Sequence, residues 1–331
     1  MASDGLLDVE RVERYLSEQV PALEVRKVNA ATRFPAGLSS LSCRIDLLTE
    51  QGLRTVVIRA EPEHGVIPPY DIVAEYELMS RVSQGGLPVP EMLHLEADPE
   101  VFGTRFLVMS YLEGEMFRSS DPRVVADAAL AEQLKFHFVE MLARIHLFDG
   151  HGLHLFTDAA EAARAEVRAC RRRLAETQVL PNPALEHALD VLEANAPPGQ
   201  RQVLLHGDYR LPNLKWRDGK LVGILDWELA RVGDPISDVC FTQTVGIGAC
   251  SITGDLLDRY LDLTGFDVDD QRLAYYQLLE MVKGTIIGLA AAKDILNGGS
   301  DLRLLSVAGL AASAVPVVGM LEQSVERVEA R

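Results

Sequence analysis

Three polar residues stand inside one apolar stretch, "LLHGDYRLPNLKWRDGKLVGILDWELA" (Leu204 to Ala230): Asp208, Asn213 and Asp226. Asp208 and Asn213 lie in a loop that leaves the run "VLLHGD" and enters "LKW", and Asp226 closes the run "LVGILDW". The turn "RDGK" joins two short strands into a hairpin. In a hairpin the start of one strand lies beside the end of the other, so Asn213 and Asp226 are expected as neighbours. A carboxylate beside an amide oxygen is a hard-oxygen pair suited to Mg2+. Asp208, further along the loop, is placed to orient a hydroxyl. Metal ligands that neutralise phosphate charge, with a carboxylate that positions a nucleophile, are the parts phosphoryl transfer requires.

The elements that must position these residues follow from the rest of the chain. Residues 5–18 read as a short helix. "EVRKVNA", "LSCRIDLLT" and "LRTVVIRA", between Val25 and Ala60, are β-branched and apolar runs punctuated by Gly, Asn and Pro, and predict three antiparallel strands. "YDIVAEYELMSRVSQGG" places Ile72, Tyr76, Met79 and Val82 on one helix face and ends at Gly85-Gly86. "VPEMLHLEA" and "TRFLVMSYL" predict two more strands. After Gly114 the spacing is mainly helical, as in "AEQLKFHFVEMLARIHLFD" and "PALEHALDVLEANAPPG". The expected fold is α+β and two-lobed: residues 1–110 a small antiparallel sheet with one helix, residues 111–331 a larger helical lobe carrying the polar hairpin. Ligands favour the cleft between such lobes.

A chain of 331 residues with 48% hydrophobic content has ample core for this plan. Its net charge of -17 argues against nucleic acid and anionic membranes as partners. Oligomeric state is left open. The four cysteines, Cys43, Cys170, Cys240 and Cys250, are scattered and read as reduced thiols of a cytoplasmic protein. The N-terminus "MASDGLLDVERVERYL" lacks the basic start and apolar run of a signal peptide. "LLSVAGLAASAVPVVGML" is long enough to cross a bilayer, but its small residues and Pro316 favour a buried helix pair.

"HGDYRLPN" resembles the catalytic loop of the protein-kinase-like fold, in the HGD form of the aminoglycoside phosphotransferase family, and "LDWE" stands where protein kinases carry D-F-G. "GDPISD" is also similar to that family, in particular to the branch with a kinase-like domain fused to acyl-CoA dehydrogenases. The resemblance implies a kinase that uses ATP or GTP and Mg2+ to phosphorylate a hydroxyl of a small molecule, an antibiotic such as an aminoglycoside or a metabolite. It implies Asp208 as the catalytic residue and Asn213 and Asp226 as metal ligands. In "FPAGLSSLSCRI" a phosphate-covering turn keeps one glycine, with Ser39 and Ser40 as phosphate contacts. Arg59 of "VVIRA" replaces the usual phosphate-binding Lys, and its alternative is an exposed strand-end charge. Glu75 is the expected partner of Arg59, with Glu77 facing solvent. "FLVMSYLEG" resembles the hinge, where the Ser110 carbonyl and Leu112 amide would meet the base. His206, Asp234 and Asp238 are expected to brace the loop, with Asp234 and Asp238 starting the next helix. Glu228, Tyr276 and Glu280 are candidates for the substrate pocket. The alternatives are a catalytically silent nucleotide-binding or regulatory protein, and a metal-dependent hydrolase that uses the same acids.

Overall fold

The computed structural model describes residues 5–34, 41–62, 70–118, 120–149, 159–178, 180–198, 201–245, 250–299, 304–305, 308 and 314–330. They form two compact units: residues 1–114 with 223–228, and residues 115–222 with 229–331.

The first unit is built on a five-stranded antiparallel sheet, β1 (Val25–Arg33), β2 (Leu41–Thr49), β3 (Gly52–Ala60), β4 (Met92–Glu96) and β5 (Phe106–Ser110), in the order β1-β2-β3-β5-β4. Period-two alternation decides its faces. Leu41, Cys43, Ile45 and Leu47 of β2 are buried on one side, where they pack with Leu6, Val12, Leu16, Phe102 and Phe106. Helix α1 (Val9–Gln19) contributes Val12, Tyr15 and Leu16 and is capped by Asp8, which accepts from the Arg11 amide at 3.1 Å. Burying each of those side chains stabilises the contact by about 2 kcal/mol. The other face of the sheet carries Arg59. Its neighbours in register, Ser42 on β2 and Leu107 on β5, share that face, as do Val57 and its partners Arg44 and Met109.

Helix α2 (Ile72–Gln84) starts where Asp71 accepts from the Val73 and Ala74 amides. Glu61 fixes that start to the sheet. It takes both arms of Arg105, at 2.9 and 2.8 Å, and accepts from the Ile72 amide at 3.0 Å. The buried stripe differs by one position from the pattern in the sequence. Ile72, Glu75, Met79 and Val82 are buried, while Tyr76 is only partly so. Burial of an acid in place of the adjacent aromatic shows that Glu75 has a buried cation to meet.

The second unit is mainly helical: α3 (Pro122–Ala126), α4 (Ala128–His146), α5 (Ala159–Thr177), α6 (Pro183–Ala194), α7 (Pro235–Val245), α8 (Asp255–Thr264), α9 (Asp270–Leu296) and α10 (Ala314–Glu329). Its core draws Val167 and Leu174 from α5, Leu185, Leu189 and Leu192 from α6, Tyr275, Leu279 and Val282 from α9, and Leu321 and Val325 from α10. Two strand pairs accompany the helices. β6 (Val203–Leu205) pairs with β9 (Arg231–Gly233), and β7 (Leu214–Arg217) pairs with β8 (Lys220–Ile224).

The division between the units departs from a single cut at residue 110. It falls at Gly114, and residues 223–228 return to the first unit. The Ile224 amide donates to the Pro88 carbonyl at 2.7 Å, which ties the end of β8 there. All four cysteines are buried and unpaired. No helix among the described residues is long and apolar enough to cross a membrane. Much of the stretch 304–321 lies outside the described residues.

Candidate active site

In the first unit the site grows from strand β3. "GLRTVVIRA" is β-branched and buried to its end, and Arg59 sits one residue before that end, itself buried. The exposed-charge alternative for Arg59 is therefore corrected. A buried guanidinium must be paired, and this one meets three carboxylates. Its Nε donates to Glu75, 3.2 Å from Oε1 and 3.3 Å from Oε2. Its Nη2 donates to Asp226 Oδ1 and to Glu228 Oε2, both at 2.7 Å. Burial pushes the Glu75 carboxyl up, and Arg59 opposes that push. The Arg59 guanidinium stays charged: burial would lower it, and Glu75, Asp226 and Glu228 outweigh burial. Three carboxylates thus share one guanidinium.

Asp226 holds a left-handed backbone, with φ of 69°. A non-glycine residue there costs about 1 kcal/mol, a strain typical of functional positions. Glu228, expected in the substrate pocket, is instead bound to Arg59 in the first unit, because the chain turns back after Asp226 and brings both acids to the same nitrogen. Arg59, Glu61, Tyr70, Asp71, Glu75 and Glu228 line a small cleft. Glu77 is exposed.

At the end of β5 the Ser110 amide donates to the Glu91 carbonyl at 2.9 Å, and its Oγ accepts from the Glu91 amide at 2.9 Å. Among the described residues the Leu112 amide has no hydrogen-bond partner. Val57 and Met109 form an apolar patch on the Arg59 face of the sheet. Sequence reasoning passed over both, although alternation from Arg59 marks their face. Ser39 and Ser40 lie outside the described residues.

In the second unit β6 delivers His206, Gly207 and Asp208. Gly207 has a φ of 82°, and a Cβ there would come within 2.3 Å of the Leu229 carbonyl oxygen. The middle position of HGD therefore admits glycine alone. Asp238, at the start of α7, holds the loop from behind. It accepts from the His206 amide at 2.7 Å and the Gly207 amide at 3.0 Å. Its Oδ2 also meets His146 Nε2 at 3.2 Å, and His146 Nδ1 meets the Tyr260 hydroxyl at 2.6 Å. Burial opposes ionisation of Asp238. The hydrogen bond and charge of His146, with Arg231 and His206, outweigh it and hold the carboxyl well below the usual range. His206 Nδ1 accepts from the Asp208 amide at 3.2 Å, and the Tyr209 hydroxyl donates to the Phe138 carbonyl at 2.9 Å.

Asp208 is thereby presented with its carboxylate gripped at both ends. Asn213 Nδ2 donates to Oδ2 at 2.7 Å and to the Asp208 carbonyl at 2.9 Å. Arg210 Nε donates to Oδ1 at 2.8 Å. Asn213 closes the short 3-10 turn Leu211–Asn213, which aims its amide at Asp208 and leaves the side-chain carbonyl as its hard-oxygen end. Asp234 takes both arms of Arg272, at 2.7 and 2.6 Å, and accepts from the Ile236 amide at 2.9 Å, bracing the first turn of α7.

Tyr276 and Glu280, expected to line a substrate pocket, are 2% and 3% exposed. Helix α9 buries both among the helices of the second unit. Glu280 accepts from the Ser237 hydroxyl at 2.6 Å and from Lys283 Nζ at 2.9 Å. Glu166 joins this group through Arg231 at 3.1 Å and Lys283 at 3.3 Å. Nothing in the helical pattern of α5 distinguishes Glu166 from its solvent-facing neighbours.

The sequence profile of a phosphotransferase enzyme family, APH, matches residues 30–276. The chain belongs to that family. This phosphotransferase is 28% identical over 240 residues to acyl-CoA dehydrogenase family member 11 of Gallus gallus, a match covering 70% of the chain and 30% of that relative. The chain thus spans less than a third of that relative's length. Among solved structures, a putative aminoglycoside phosphotransferase from Ralstonia eutropha has the same fold, with a TM-score of 0.74 at 21% identity over 97% of this chain and 99% of that one. A thermostable mutant of aminoglycoside phosphotransferase APH(4)-Ia, in a ternary complex with ADP and hygromycin B, matches with a TM-score of 0.62 at 16% identity, over 96% of this chain and 98% of that one. The fold is kinase-like α+β, and the family is one of phosphotransferase enzymes.

Proposed function

We propose that this kinase transfers the γ-phosphoryl group of ATP or GTP, with Mg2+, to a hydroxyl of a small molecule. The observation that carries the reading is the Arg59 cluster. A buried arginine holds Glu75 and both acids of the D-W-E segment on one guanidinium. Val57 and Met109 offer the nucleobase an apolar bed, and the Leu112 amide offers its edge a donor. The donor set fits a hard divalent ion. The Asp226 carboxylate and the Asn213 side-chain carbonyl are hard oxygens of the kind such an ion takes. Bound there, Mg2+ would supply charge neutralisation of the phosphates.

The residues of the chain do the rest. Arg59 holds phosphate oxygens as a planar fork. Asp208 orients the acceptor hydroxyl and takes its proton. Asn213 and the Asp238 network keep Asp208 in place. The acidic balance of the chain, -17, favours a cationic acceptor such as an aminoglycoside, while a hydroxylated metabolite is equally compatible with the residues of the site. A panel of hydroxylated antibiotics and metabolites, scored for ADP or GDP release, tests the reading. At least one acceptor must raise release well above the acceptor-free level, and Asp208→Asn must abolish the increase. Tight nucleotide binding without turnover on any acceptor would favour the silent nucleotide-binding alternative.

A further inference from the structure

The sheet face that carries Arg59 is laid out in rows, because pairing in register sets side chains of neighbouring strands side by side. Ser42, Arg59 and Leu107 form the first row, and Arg44, Val57 and Met109 the second. Asp46 and Thr55 form the third, where the Tyr111 amide donates to the Thr55 carbonyl at 3.4 Å. Each step between rows is two residues along a strand, about 7 Å. A nucleotide whose phosphates meet Arg59 therefore lays its base on the second row and turns the far edge of the base toward the third.

Val57 and Met109 suit the apolar face of a base, but the remaining member of their row is a cation. Arg44 is held in place by its neighbours. Its Nε and Nη2 donate to Asp46 Oδ1 at 3.0 and 2.9 Å, and the Thr55 hydroxyl donates to the same oxygen at 2.7 Å. Its guanidinium carbon lies over the Tyr111 ring, 4.9 Å from the ring centre. Asp46, Thr55 and Tyr111 thus fix one guanidinium at the border of the second and third rows. The Arg44 side chain is nonetheless 39% exposed. An ion pair that open adds little to stability, so the fold alone does not account for the arrangement. Nη1 makes no hydrogen bond among the described residues.

An arginine nitrogen such as Nη1 donates and never accepts. The two purines differ in what they show it. Guanine carries an oxygen at carbon 6 beside the acceptor N7, whereas adenine carries an amino group at carbon 6 that donates. An arginine fork matches the guanine pair and meets the adenine amino group donor to donor. Resting on the phosphoryl-transfer reading above, we propose that Arg44, fixed by Asp46 and Tyr111, reads the nucleobase by donating to the oxygen at carbon 6, and so makes the enzyme prefer GTP to ATP.

The test separates a reader of the base from a residue that merely supports the sheet. Calorimetry of the full chain with Mg2+ compares GTP, ATP and inosine triphosphate, which keeps the oxygen at carbon 6 and lacks the 2-amino group of guanine. The wild type should bind GTP about tenfold more tightly than ATP, with inosine triphosphate within about twofold of GTP. The margin is modest because a partly exposed donor also has water as a partner. Arg44→Ala should bring all three within about twofold of one another, by weakening GTP and inosine triphosphate. Inorganic triphosphate, which has no base, should bind the wild type and Arg44→Ala equally. Tighter binding of ATP than of GTP by the wild type overturns the proposal. So does inosine triphosphate that follows ATP, an unchanged GTP to ATP ratio in Arg44→Ala, or a parallel loss of inorganic triphosphate. Should Arg44→Ala unfold, Arg44→Met keeps the apolar stem, removes every donor and is scored against the same outcomes. Failure of all three nucleotides to bind the wild type would sink the phosphoryl-transfer reading and this proposal with it, whereas binding without a base preference sinks this proposal alone.

Discussion

The two units stabilise their polar groups in opposite ways. In the first, three carboxylates, Glu75, Asp226 and Glu228, share the one guanidinium of Arg59. Asp226 adds backbone strain. In the second, Asp238 has two backbone amides and His146 on its carboxylate, and Asp234 has both arms of Arg272. The contrast assigns different work to the two regions. The loop that carries Asp208 is tied by these bonds, which suits the proposed task of taking a proton in a fixed direction. In the proposed function the Arg59 cluster is the part that meets nucleotide phosphate and Mg2+.

The largest expected effect breaks the rigid side. Asp208→Asn should lower kcat by about two to four orders of magnitude while leaving nucleotide affinity nearly unchanged, as for loss of a general base. Steady-state rates with calorimetry on the same preparation check this, and parallel loss of affinity would reassign Asp208 to the metal.

Next in size is the hub behind the loop. Asp238→Ala strands two backbone donors and a buried histidine, and should destabilise by about 3 kcal/mol in denaturant unfolding. The same residue predicts a pH dependence. Its folded-state affinity for protons is depressed, so its contribution is full above the ordinary aspartate value of about 3.9 and is lost as pH falls below it. Asp238→Asn, which cannot titrate, should show a shallower decline in stability below about pH 4 than the wild type. An equally steep decline would place the acid sensitivity elsewhere.

Arg59 gives a smaller effect that sharpens the comparison. Arg59→Lys loses the fork that holds two acids from one nitrogen and a third from another, and should raise nucleotide KM by about tenfold, or ~1.4 kcal/mol. Glu75→Gln should move KM the same way, with the double variant showing less than the sum. Strict additivity would uncouple the pair despite their contact.

Much of this was legible from spacing. The strands of the first unit announced themselves through β-branched runs, and HGD with an Asn five residues on located the rigid loop. Local pattern also marked Asp234 and Asp238 as residues at a helix start. What escaped was long-range. The role of Glu61 depends on Arg105 and the Ile72 amide, which no sequence window brings together. Glu228 was read as facing substrate because it follows Asp226, whereas its partner here, Arg59, is 169 positions away. Tyr276 and Glu280 misled for a different reason. Two tyrosines and an acid on one helix read as a mixed pocket lining, but Glu280 is buried against Arg231 of β9, Lys283 of the same helix and the Ser237 hydroxyl of α7.

The central claim is that the Arg59 cluster is the metal-dependent nucleotide site. Calorimetric titration of ATP and GTP into the wild type and Asp226→Ala, each with Mg2+ and with chelator, tests it most directly. The account predicts that Mg2+ strengthens binding to the wild type and has no effect on Asp226→Ala. Equal Mg2+-dependent binding by both proteins would contradict it.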